Sequence, residues 1–160
     1  TVEHAIQLAH KSKTPIMLDP APVTAEALNY KLFDVDLICP NQTEAETLTG
    51  MRSGTKETAA IAAGGLIRLG AKTCLVTMSD QGTILHDGMT SRFIESYQVQ
   101  AIDSTAAGDA FAGAFAVHYV ETKCLNRATR FASAAGALCA TKRRAQPSMP
   151  SRNEILAIRK

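Results

Sequence analysis

The sequence predicts an α/β protein, a three-layer Rossmann-like α/β/α arrangement with a mainly parallel sheet. Three observations carry that reading. Short apolar runs of about four to six residues alternate with segments of helical period, several of the runs end in proline or in a polar helix start, and the helices close at turn residues. Val2, Ala5, Ile6 and Ala9 recur at i, i+3, i+4 and i+7, so Thr1–Ser12 reads as an amphipathic helix that Pro15 cannot prolong. Ile16–Leu18 is then a short strand, and Asp19-Pro20-Ala21-Pro22 is its rigid exit, because proline lacks an N–H and fixes φ. A brief helix near Ala25–Tyr30 precedes a second strand at Val35–Cys39, which Pro40 halts before the polar helix start Asn41-Gln42-Thr43-Glu44.

Thr55–Leu69 is the clearest helix, with Ala59, Ala62, Ala63, Leu66 and Ile67 along one side and Gly70 at its end. Thr73–Met78 follows as a buried strand. Thr83–His86, Ser91–Ile94 and Tyr97–Ile102 read as shorter strands, the first two joined by the hairpin signal Asp87-Gly88. Helices over Ala106–Val120, Asn126–Thr141 and Arg152–Lys160 complete the chain, which reads as one α/β domain over residues 1–160.

Composition narrows the function classes. Lys and Arg number 17 against 15 Asp and Glu, a net charge of +2, and no block of like charge stands out, which argues against a nucleic-acid or anionic-membrane partner. The longest run free of Asp, Glu, Lys and Arg is 11 residues, as in Ala110–Val120, too short for the roughly 20 residues of a membrane span. Cys39, Cys74, Cys124 and Cys139 form no C-x-x-C pair and sit in apolar surroundings, as reduced thiols of a cytoplasmic protein do. The chain opens at Thr1 without an initiator methionine or a secretory leader, and is expected to be a fragment.

Ligands of open α/β sheets gather at the carboxyl ends of the strands. Those ends are Asp19–Pro22, Asn41–Glu44, Thr77–Gly82 and Asp103–Asp109, and they are expected to converge on one edge. Asp103-Ser104-Thr105-Ala106-Ala107-Gly108-Asp109 is the most informative of them. Free N–H groups and the dipole at a helix start attract anions, and side chains no larger than methyl let a phosphate reach the backbone of Ala106, Ala107 and Gly108. The Asp109 carboxylate would repel that phosphate, yet is well placed to take the proton of a hydroxyl attacking it. Phosphoryl transfer to an alcohol is one reading. The other makes Asp103 an N-cap, Asp109 a favourable first-turn charge and Ala-Ala-Gly a packing accommodation.

D-S-T-A-A-G-D followed by A-F-A-G-A resembles the C-terminal signature of the ribokinase-like carbohydrate kinases, the bacterial phosphofructokinase-B family. D-P-A-P at Asp19–Pro22, N-x-x-E at Asn41–Glu44, T-x-x-x-x-G at Thr77–Gly82 and A-Q-P-S-x-P at Ala145–Pro150 fall in the same order as in that family. The resemblance covers the C-terminal half of the family pattern and implies that half of a ribokinase-like fold. It implies an ATP- and Mg²⁺-dependent kinase acting on a primary hydroxyl of a sugar, with ribose the default and deoxyribose, a nucleoside or a keto-deoxy sugar as alternatives. Asp109 corresponds to the catalytic base and Ala106, Ala107 and Gly108 to the anion hole. Asn41 and Glu44 correspond to an indirect Mg²⁺ and phosphate organiser. Thr77, Ser79 and Gly82 match the loop contacting ATP, and Ser133 matches an adenine-side contact. Asp103, Thr105, Cys139, Lys142, Arg144 and Ser148 match a monovalent-cation (K⁺) loop pair.

Ser79 and Arg144 stand where the family usually has glycine, so any role needing positive φ there is open. Ser133 is read equally as one more small residue on a tightly packed helix. The sugar-binding part and a lid that serves as a homodimer contact belong to the N-terminal half, so this region alone is expected to be inactive. A catalytically silent nucleotide-binding module is the rival from another class. No G-x-x-x-x-G-K-[ST], G-x-G-x-x-G or G-x-S-x-G occurs, and His4, His10, His86 and His118 show no metal-ligand spacing.

Overall fold

The computed structural model describes residues 1–23 and 30–158. In chain order the helices are α1 (Val2–Ser12), α2 (Gln42–Thr49), α3 (Lys56–Leu69), α4 (Ala107–Thr122), α5 (Leu125–Ala140) and α6 (Arg152–Ala157). The strands are β1 (Met17–Leu18), β2 (Leu37–Ile38), β3 (Cys74–Thr77), β4 (Gly82–His86) and β5 (Ser91–Glu95), and Tyr30–Phe33 and Gln146–Ser148 form 3₁₀ turns. The chain divides into two compact units, Thr1–Thr77 with Ile84–Phe93, and Met78–Thr83 with Ile94–Lys160.

The five strands form one sheet in the order β1-β2-β3-β4-β5, of which the first unit holds β1, β2, β3, Ile84–His86 of β4 and Ser91–Phe93 of β5. The pairs β1–β2 and β2–β3 are parallel, in registers Met17 to Leu37 and Ile38 to Cys74. Backbone bonds from Leu37 N to Ile16 O (3.0 Å) and from Cys39 N to Leu18 O (2.9 Å) carry the pairing past the two-residue strands. The connections into β4 and from β4 to β5 are too short for parallel crossovers, so these strands form the expected antiparallel excursion. Asp87 shapes the hairpin, its Oδ1 accepting from the N–H groups of Met89 (3.1 Å) and Thr90 (2.9 Å). The buried face of α3 falls on Ala59, Ala62, Ala63 and Leu66, each 0% exposed, as its sequence period requires. Thr55 caps α3 reciprocally with Thr58, and Gly70 ends it. Burial pushes the Cys39 and Cys74 thiols well above the ordinary range, so both are inert. All four cysteines are free.

The second unit is built on the antiparallel pair α4 and α5. Ala106, Ala110 and Cys139 form one buried cluster, and Ala134, Ala135 and Ile155 form another, with Phe131 and Leu138 packed against it. Small residues let the two helices approach closely: a Cβ added at Gly136 would stand 3.2 Å from the Ala107 carbonyl oxygen and 3.6 Å from Phe111 Cβ.

Two expectations need amendment. Tyr97–Ile102 is not a strand: it alternates in polarity but finds no neighbouring strand, Ile102 is 59% exposed, and the Ile102 N–H bonds instead to Ala140 O (2.7 Å). Most of the helix expected near Ala25–Tyr30 lies outside the described residues, and the part described at its end is the Tyr30–Phe33 turn. No described helix is long and apolar enough to cross a membrane.

Candidate functional site

In the first unit the parallel strands bring two of the motif segments together. Asn41 forms an isolated parallel bridge with Thr77, and the Thr77 N–H bonds to Pro40 O (3.0 Å). Asn41 is also the N-cap of α2 in a full capping box. Its Oδ1 accepts from the Glu44 N–H (2.9 Å), while Glu44 Oε2 accepts from the Asn41 N–H (2.8 Å). The capping reading of N-x-x-E is therefore met, and Glu44 Oε1 is left for another partner. Among the described residues no three His, Cys, Asp or Glu gather to hold a metal ion. Asp19–Pro22 line a separate cavity of about 380 Å³ with Leu18 and Ile38, and neither Asn41 nor Thr77 borders it.

The second unit carries the remaining residues. After Thr77 the chain turns sharply, with the Gln81 N–H on Met78 O (3.1 Å) and the Met78 N–H on Gly82 O (2.8 Å). Ser79 takes φ +51° and Gly82 φ +140°, so the left-handed conformation is kept at Ser79 without glycine.

Asp103 is not the cap of α4. The cap is Ala106, which supplies no side-chain bond. Asp103 Oδ1 instead accepts from Thr105 N (3.0 Å) and Thr105 Oγ1 (2.5 Å), and its Oδ2 accepts from Arg144 N (3.1 Å). These bonds tie residues 103–105 to the loop after α5. The Thr105 hydroxyl, then the Thr105 and Arg144 N–H groups, hold the Asp103 carboxyl below the usual carboxylate range. Arg144 takes φ +73°, a left-handed non-glycine like Ser79. Ser148 is buried, with its Oγ on Ala145 O (2.6 Å) and 3.1 Å from Cys139 Sγ. Lys142 Nζ meets Glu154 Oε1 (2.7 Å), and with the Ser151 bonds this holds the Glu154 carboxyl at about 2.

At the start of α4 the small residues divide into two kinds. Ala106 is buried against Ala110 and Cys139, so it serves packing. Gly108 is exposed, and a Cβ added there would meet nothing within 4 Å. Protein packing does not require glycine at that point, whereas an incoming anion would. The Ala107 N–H donates to Ser104 O (3.1 Å), which leaves Ala106, Gly108 and Asp109, among the described residues, as the N–H groups without a protein acceptor. Asp109 thus takes the place of Ala107 among the expected free donors. Asp109 is exposed in the first turn beside them. Ser133 is 6% exposed on α5, between the buried Ala132 and Ala134. Sequence reasoning missed Gly136, which faces the Ala107 carbonyl from α5. The only signal was a glycine inside an alanine-rich helical run.

Residues 1–152 match the pfkB family carbohydrate kinase model, and the chain belongs to that family. The chain is similar to ribokinase of Haemophilus influenzae, at 41% identity over 97% of this chain and 50% of that one. It is similar to deoxyribokinase of Salmonella typhi, at 34% identity over 94% of this chain and 49% of that one. Among solved structures, that of Arabidopsis thaliana ribokinase complexed with ribose and ATP matches with a TM-score of 0.85 and 34% identity, over 97% of this chain and 50% of that one. The ribokinase-like α/β fold is therefore this chain's fold. The chain spans about half the length of these relatives.

Proposed function

We propose that this chain is the nucleotide-binding part of an ATP-dependent sugar kinase that phosphorylates a primary hydroxyl, with ribose as the substrate and deoxyribose as the nearest alternative. The observation that carries the proposal is the start of α4. The N–H groups of Ala106, Gly108 and Asp109 have no protein acceptor, a Cβ at Gly108 would meet no protein atom within 4 Å, and the Asp109 carboxylate stands in the same turn. The relatives named ribokinase and deoxyribokinase, and the relative solved with ribose and ATP, support the choice of sugar and nucleotide.

In this mechanism the sugar hydroxyl oxygen attacks the γ-phosphorus of ATP, the bond from that phosphorus to its bridging oxygen breaks, and ADP departs. Asp109 takes the hydroxyl proton as the new bond forms. Ala106, Ala107 and Gly108 line the hole for the transferring group, whose charge the free N–H groups of Ala106 and Gly108 and the α4 dipole stabilise. Thr77, Ser79 and Gly82 bind the nucleotide, and Ser133 lies on its adenine side. Asn41 and Glu44 would organise Mg²⁺, which when bound neutralises phosphate charge. Oxygens of Asp103, Thr105, Cys139, Lys142, Arg144 and Ser148 would hold K⁺. The left-handed Arg144 preserves the turn those oxygens need, and the bound charge would steady the hole. The free cysteines suit a cytoplasmic setting. Homodimerisation through the lid of the N-terminal half belongs to the same proposal.

Gly108→Val tests the hole. Because no protein atom lies within 4 Å of the new Cβ, the melting temperature should stay near that of the wild type. ATP affinity of the full-length protein, measured by calorimetry, should nevertheless fall at least tenfold, since the branched side chain fills the space the phosphate requires. A Gly108→Val protein that binds ATP as tightly as the wild type would remove the hole from this position.

A further inference from the structure

The only ionisable residues of α4 other than Tyr119 are Asp109, His118 and Glu121, and the rest of the helix is almost wholly apolar or small. A helix that is apolar all round belongs in a core, with neighbours on more than one side. One side of α4 is filled: Ala110, Phe111 and Phe115 are buried, and Phe111 lies at the crossing with α5. The other side is open. Between Asp109 and Glu121 the exposed residues are Gly113, Val117 and Val120, the valines 55% and 64% exposed. With Asp109 they follow at steps of four, four and three, so all four stand on one stripe of the helix. The neighbouring α5 is an ordinary surface helix by contrast, its exposed residues being Arg127 and Arg130.

Gly113 gives a second, independent sign. Glycine in the middle of a helix is less stable than alanine, and a Cβ added at Gly113 would meet nothing within 4 Å. Nothing in the described chain needs that space, whereas a segment seated close against the α4 backbone would. The chain spans about half the length of its relatives, so a stretch of comparable length remains to be placed. A second copy fits less well. Packed two-fold along this stripe, α4 would set the Asp109 carboxylate against Val120 when antiparallel, or against the same carboxylate when parallel, and bury a charge with no partner.

We propose that Gly113, Val117 and Val120 form the seat on which the N-terminal half of the full-length protein packs. The seat stands on packing alone; its consequence, that the sugar-binding half is brought up to the Asp109 carboxylate on the same stripe, rests on the function proposed above. The test uses the full-length protein. Gly113→Leu introduces a strong helix former, which on an open face would raise the melting temperature; under a seated segment the added side chain overpacks and lowers it by about 3 °C or more. Val117→Cys and Val120→Cys should react with a maleimide about a hundredfold more slowly in the folded protein than in urea, read at each position by peptide mass spectrometry. That protection should persist on dilution. Reaction of either cysteine at the urea rate, or a Gly113→Leu protein that melts at or above the wild type, would overturn the proposal. Protection that disappears as the protein is diluted would overturn it too and assign the face to a second copy. These readouts need no substrate, so full protection in a protein without sugar-dependent turnover would overturn the proposed activity and leave the seat in place.

Discussion

Asp109→Asn in the full-length protein should slow the chemical step by about 10²–10⁴-fold while the melting temperature changes little. Asparagine keeps the shape of the side chain at the start of α4 but cannot take a proton from the attacking hydroxyl. ATP should bind as well as in the wild type or slightly better, because a negative charge near the phosphates is gone. The alternative, that Asp109 only complements the helix dipole, makes the opposite forecast. A first-turn charge is worth roughly 0.3–1 kcal/mol, so its loss would lower stability and leave turnover nearly intact. Pre-steady-state turnover and thermal denaturation of the same preparation separate the two.

Gly136→Val should damage fold and site together. The β-carbon alone would sit 3.2 Å from the Ala107 carbonyl oxygen, and the valine methyls would press further into the crossing of α4 and α5. Overpacking of this kind costs about 1–3 kcal/mol, against which valine regains a few tenths in helix propensity. A net loss near 2 kcal/mol lowers the melting temperature by about 4–8 °C in a protein of this size. Ala107 belongs to the proposed hole, so ATP affinity should fall in parallel. Gly136→Ala presents the tight contact without the added methyls and should stay within about 1 kcal/mol of the wild type. A Gly136→Val protein with unchanged melting and unchanged ATP affinity would show that the helix crossing does not govern the hole.

How much of this was legible in the sequence depended on whether a signal was local. The bounds of α3 follow from the cap at Thr55 and the stop at Gly70, and the hairpin follows from Asp87-Gly88; each is local chemistry. The Asn41–Glu44 spacing likewise forecasts the start of α2, where each side chain accepts from the other residue's backbone N–H. Tyr97–Ile102 misleads because alternation marks a strand only when a second strand is there to pair with it. The conformations of Ser79 and Arg144 were not legible, since serine and arginine give no sign of positive φ. The turn bonds of Met78 and Gln81, and the Asp103–Arg144 bond from the chain 41 residues away, accompany conformations that glycine usually supplies. Gly136 escaped for a similar reason: its meaning is the proximity of Ala107, which no spacing along α5 encodes.

Packing also divides a motif that the sequence presents as uniform. Ala106, Ala107 and Gly108 read alike as small residues, yet Ala106 serves the buried cluster with Ala110 and Cys139, the Ala107 N–H is already bonded to Ser104, and Gly108 alone faces open space.

Transfer of the γ-phosphoryl group of ATP onto a sugar hydroxyl is the activity proposed for the full-length protein. Phosphorus NMR of the full-length protein with ATP and Mg²⁺, in parallel samples with ribose, deoxyribose and no sugar, tests it most directly. A sugar phosphomonoester resonance should grow in step with ADP in the presence of ribose, and should be nearly absent in the Asp109→Asn protein. ATP consumption that is the same with and without sugar, or no consumption in any sample, would contradict it.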